Sequence, residues 1–140
     1  MNWFVAAFLS AFFAALTAIL AKIGIKNINS NLATAVRTIV ILVFAWGIVF
    51  FQGGIKEINS IPKTSLLFLI LSGIATGLSW LFYFYALSVG QASKVAPIDK
   101  LSLVLTIILA GLILKEKISL PIILGGLLMS LGAILIGLAK

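Results

Sequence analysis

A chain of 140 residues that is 63% hydrophobic and 9% charged, with a mean hydropathy of +1.31, cannot coat a water-soluble globule, which carries about 25% charged residues. Lipid must face most of its surface, and the net charge of +7 does not mark nucleic acid, because the lysines stand between hydrophobic runs as they do beside membrane spans. The chain has neither cysteine nor histidine, which excludes disulfides, thiolate chemistry and imidazole catalysis and leaves no cofactor or metal to expect.

A transmembrane helix needs about 20 mostly apolar residues, and five stretches qualify: residues 3–25, 32–51, 64–88, 95–114 and 119–139. The expected fold is all-α and integral to the membrane, one domain over residues 1–140. The first stretch could pass for a signal peptide. It lacks a basic leading segment and its apolar run is too long, so it is read as a span. Along it Ala7, Ala11, Ala14, Ala18 and Ala21 form a 4-3-4-3 stripe of small residues, and Lys22 stands near its end. After the turn "KNINSN" the second span places Arg37 about five residues from its start.

The longer loop "QGGIKEINSIPK" leads to the third span, which holds Gly73-x-x-x-Gly77 and an aromatic run. Trp80 lies too deep for the headgroup belt where Trp and Tyr usually sit. Thr76, Trp80 and Tyr83 follow 4-3 spacing and share a face. A polar-tipped aromatic at that depth either hydrogen-bonds to another helix or lines a cavity.

The loop "VGQAS" opens the fourth span, with Pro97 expected in its first turn, where proline starts a helix without a kink. Asp99 lies roughly 7 Å deep at 1.5 Å per residue. An intramembrane carboxylate needs a partner: Arg37, Lys22 or Lys100, the shared depth favouring Arg37. The pair is either a structural tie or a proton- or substrate-linked site. Ser102 and Thr106 continue the Asp99 face at i+3 and i+7, while Lys100 points about 100° away and can snorkel. The turn "KEKIS" ends in Ser119, an N-cap candidate before Pro121. The fifth span carries Gly126-x-x-x-Ser130 with Gly125 and Gly132, small residues that serve either packing within the protomer or a dimer contact.

Five spans put the two ends of the chain on opposite sides. Lys56, Lys63, Lys115 and Lys117 fall on one side. Lys22, Lys26, Arg37, Lys94 and Lys140 fall on the other, with Lys100 deeper. So slight a bias barely selects an orientation. Both orientations, and an antiparallel dimer forming the inverted repeat of a transporter, are open to such a chain. A lone intramembrane carboxylate without Cys or His makes an enzyme untenable.

Residues 83–135, "YFYALSVGQASKVAPIDKLSLVLTIILAGLILKEKISLPIILGGLLMSLGAIL", resemble the EamA family of the drug/metabolite transporter superfamily. The resemblance rests on Ala86-Leu87, the small-residue loop from Ser93 to Pro97, the turn Lys115-Glu116-Lys117-Ile118-Ser119 and Gly125-Gly126; Arg37 resembles the arginine often found early in the family's second span. It implies half of a ten-helix inverted-repeat transporter, with the first, third and fourth helices lining a central cavity. Carried over, that points at Ser10, Thr17, Thr76, Trp80, Tyr83, Asp99, Ser102 and Thr106. From the charges themselves, Asp99 with its basic partner, Arg37, Lys100 or Lys22, is the candidate gate or coupling site. The implied protein works by alternating access on small metabolites, as an antiparallel homodimer in a cell membrane, the plasma membrane of a prokaryote. A subunit of a lipid-linked-sugar flippase and a non-transporting structural membrane protein are the rival readings.

Overall fold

The computed structural model describes residues 2–139. Lys140, one of the charges counted above, lies outside the described residues. Helix α1 spans Trp3–Gly24, α2 Ser30–Phe51, α3 Lys63–Val89, α4 Ala92–Asp99, α5 Ser102–Ile113 and α6 Leu120–Leu138, with a 3₁₀ helix over Gly54–Ser60. No strand occurs among the described residues. Because α4 and α5 run as one span, Ala92–Ile113, five helices are long and apolar enough to cross a membrane.

Helix ends follow local chemistry. Asn29 caps α2, its side-chain oxygen accepting from the backbone N–H groups of Asn31 at 2.9 Å and Leu32 at 3.3 Å, two of the donors a helix start leaves unpaired. Ser119 holds the N-cap position of α6 in extended geometry, with proline following in the first turn, as expected; it makes no side-chain cap bond. Gly53, at φ 72°, ends the α2 segment in the left-handed conformation that glycine adopts freely. The loop after it folds into the 3₁₀ helix, with Ser60 Oγ donating to the Glu57 carbonyl at 2.6 Å.

The chain divides into two compact units, residues 1–22 with 89–140 and residues 23–88. In the first, α4 and α5 pack on α6. A Cβ added to Gly126 would stand 3.1 Å from Ile107 Cδ1, and one at Gly137 would collide with Ile98 Cδ1 at 2.6 Å. These glycines let the backbones approach, which is how helices associate when lipid removes the hydrophobic drive. Ala133 is buried on the same α6 face. The Lys94 ammonium donates to the Ala139 carbonyl, tying the start of α4 to the end of α6. In the second unit the 3₁₀ helix packs against the end of α2. Together they frame a cavity of about 480 Å³, whose polar lining includes Trp46, Gln52, Glu57 and Ser60.

The fourth span departs from the expectation in two ways. It starts at Ala92, after Gln91 in extended geometry, so Pro97 is the sixth residue of the helix and lies outside the first turn. The helix then breaks at Lys100–Leu101. Proline has no N–H to give the carbonyl four residues back. Bonds of i→i+3 type follow it: Lys100 N–H to Pro97 O at 3.1 Å, Leu101 to Ile98 at 3.0 Å, Leu103 to Lys100 at 3.0 Å and Val104 to Leu101 at 3.1 Å. One tightened turn thus separates α4 from α5.

Candidate functional site

The candidate residues fall in both units: Ser10, Thr17, Lys22, Asp99, Lys100, Ser102 and Thr106 in the first, Arg37, Thr76, Trp80 and Tyr83 in the second.

In the first unit the chemistry gathers at the helix break. Lys100 Nζ lies 3.2 Å from Asp99 Oδ2, the one ion pair among the described residues. Of the three partners the sequence offered Asp99, Lys100 is the one it takes, although depth favoured Arg37 and Lys100 was expected to point away. Adjacent residues on a regular helix diverge by about 100° and do not face each other. The pair forms because α4 ends at Asp99 and Lys100, no longer held in the helix, turns back. Within the protein both side chains are only partly covered, at 34% exposed for Asp99 and 53% for Lys100. Past the break, Thr106 Oγ1 donates to the Ser102 carbonyl at 2.9 Å. On α1, Lys22 Nζ donates to the Gly90 carbonyl at 2.7 Å and so reaches the loop that precedes α4. Thr17 is half-buried and Ser10 exposed.

In the second unit Arg37 meets α3. Its guanidinium carbon stands 4.4 Å from the centroid of the Trp80 ring and 5.2 Å from that of Phe84, within the range of cation–π attraction. Phe84 is 2% exposed and Tyr83 sits edge-on to it at 6.3 Å. The deep tryptophan is thus a shelf under a cation. The sequence face of Thr76, Trp80 and Tyr83 missed Phe84, although its i+4 spacing from Trp80 was the available signal. Thr76 is exposed, and its hydroxyl donates to the Ser72 carbonyl at 2.9 Å.

One pattern covers both units. Thr34, Thr38, Thr76 and Thr106 each donate their hydroxyl proton to the carbonyl four residues back. That is the usual arrangement of Ser and Thr inside a helix. Their free valences are therefore acceptors. No group of three or more acidic or other metal-ligating side chains occurs among the described residues.

The profile of the EamA-like transporter family matches residues 1–138. A protein from a Sinorhizobium species, described as an uncharacterized transporter in the region 3′ of cobO, is 49% identical over 135 residues, 96% of each chain. An uncharacterized protein of Methanocaldococcus jannaschii is 32% identical over 85 residues, 61% of this chain and 62% of its own. No solved structure matches.

Proposed function

The chain belongs to the EamA-like transporter family, and from that premise we propose that it carries small metabolites across a cell membrane by alternating access, two copies forming one transporter. Membership makes it a membrane transporter; solute, mechanism and assembly are the proposal. The observation that carries it is the broken fourth span, with the ion pair of Asp99 and Lys100 at the break. Discontinuous helices are where secondary transporters place binding and coupling groups. A pair held only by the break can part when the two halves change their angle. Asp99, Lys100, Ser102 and Thr106 are assigned to that moving element, and Lys22 to anchoring it through the Gly90 carbonyl. Ser10 and Thr17 in the one unit, and Thr76 and Tyr83 in the other, are assigned as solute-facing groups.

Five spans make an odd set, and an inverted pair needs a counterpart to it. We assign that role to a second, antiparallel copy. Little of any span's most apolar window is buried, at most 11%, so a large apolar surface remains for lipid and partner to share.

The test is reconstitution in liposomes, with uptake of a mixed metabolite pool followed by mass spectrometry under a pH gradient, a sodium gradient and counterflow. Accumulation above protein-free vesicles is expected. If no solute moves under any condition, the transport reading falls.

A further inference from the structure

We infer that Arg37 is a receptor for a small organic carboxylate, held ready on the aromatic shelf of Trp80 and Phe84; this rests on the transporter reading and names the substrate class. The argument begins with charge. Arg37 is the single arginine of the chain, and an arginine keeps its proton under all ordinary conditions. It is the eighth residue of α2, inside a membrane span. A charge in that position normally has a counter-ion or faces water.

The chain has three acids, Glu57, Asp99 and Glu116. Asp99 is taken by Lys100, and no other ion pair occurs among the described residues. Glu57, the one acid of residues 23–88, lies beyond the far end of α2. The 14 residues from Arg37 to Phe51 alone put about 20 Å of helix between them. No hydrogen bond links the guanidinium to a described acceptor. Thr34 and Thr38, its neighbours on α2, have turned their hydroxyl protons to Ser30 and Thr34 carbonyls at 2.9 and 2.8 Å. What Arg37 does have is packing, with ring centroids at 4.4 and 5.2 Å from its central carbon, and the Tyr83 side chain near enough to interact with it electrostatically.

Rings against the guanidinium hold its orientation without neutralising it. Its N–H fork then awaits a planar oxyanion, which a carboxylate supplies in bidentate form. One isolated positive charge balances a monoanion. A phosphate dianion would bring a second charge with nothing to meet it, close to the electron-rich faces of the rings.

Because Arg37 is the only arginine, an arginine-selective reagent reads it in the unmutated chain. The purified protein in phosphatidylcholine nanodiscs is treated with phenylglyoxal, and adduct formation on the Arg37 peptide is followed by mass spectrometry. Acetate, pyruvate and benzoate are each compared with the corresponding amide and with inorganic phosphate. At least one carboxylate should slow modification saturably, by about tenfold, the scale of one charge-assisted bidentate pair, while its amide and phosphate do not. The inference is overturned if Arg37 resists the reagent without any anion, if amide and acid protect alike, if phosphate protects and no carboxylate does, or if nothing protects. Liposome uptake is a separate readout. Transport without carboxylate protection removes this inference and leaves the transporter; protection without transport keeps the site and removes the transport reading.

Discussion

Lys115 sits at φ 55° in the turn that closes α5, and the Glu116 N–H there reaches back to the Ala110 carbonyl at 3.2 Å. A side chain in the left-handed region costs about 1–2 kcal/mol, partly offset in glycine by its larger unfolded-state entropy. Lys115→Gly should therefore raise stability by about 0.5–1 kcal/mol, read as a higher thermal midpoint in detergent. An unchanged or lower midpoint would show that the lysine's own contacts outweigh the strain. The aromatic shelf allows a second test. Trp80→Leu removes the larger ring under Arg37, whose attraction to a cation is worth about 1–2 kcal/mol when partly shielded from water. The loss should shrink towards that of burial alone when Arg37→Gln is already present, since the two residues form one interaction. Additive losses would mean that the 4.4 Å approach contributes no energy of its own.

Five spans, their order and the turns between them were legible because a 20-residue apolar run has few other uses. The break in the fourth was not. Proline tolerates a first turn well, and the loop "VGQAS" gave no sign that helix would begin at Ala92, five residues before Pro97. Pro97→Ala tests what the break does. The variant regains an N–H and escapes a penalty of up to about 3 kcal/mol for proline in a helix interior. Amide exchange at Lys100–Val104 should slow and uptake should fall while the protein stays folded. Normal uptake with slowed exchange would remove the break from the transport cycle. The glycines of α6 were legible as packing residues, but their division between two faces was not. Gly126 and Gly137 press on the fourth span, whereas a Cβ at Gly125 or Gly132 would meet nothing within 4 Å. Gly126→Leu should destabilise the protomer by a few kcal/mol through overpacking (about 1–3). Gly125→Leu and Gly132→Leu should leave the protomer intact and weaken self-association, measured by crosslinking across a detergent dilution series. Dimers that survive both would move the contact to another helix. As for the site, an arginine in a span announced itself, yet its partner could not be read: a carboxylate looks like the natural choice, and only tertiary structure shows that rings took the place.

At the scale of the whole chain, orientation is decided by the lysines and arginines near the two membrane faces. The sequence count was four against five or six. Arg37 is now stacked on rings inside α2 and Lys100 is paired with Asp99, so neither weighs like a loop lysine. That leaves Lys56, Lys63, Lys115 and Lys117 facing Lys22, Lys26, Lys94 and Lys140, an even balance. The positive-inside rule has nothing to act on at parity. Both orientations should therefore be populated, and a few added charges should choose between them. The chain has no cysteine, so a single Asn59→Cys in the exposed 3₁₀ segment reports one side alone. An impermeant maleimide applied to intact cells should label about half of it, and permeabilisation the remainder. Adding lysines at Asn31 and Gln91 should lock one orientation, and replacing Lys26 and Lys94 by glutamine the other. Either locked variant alone should lose transport, and co-expression of the two should restore it, because only opposite orientations build the inverted pair. Labelling from one side in the unmodified background, or full transport by one locked variant, would leave five spans working without an antiparallel copy.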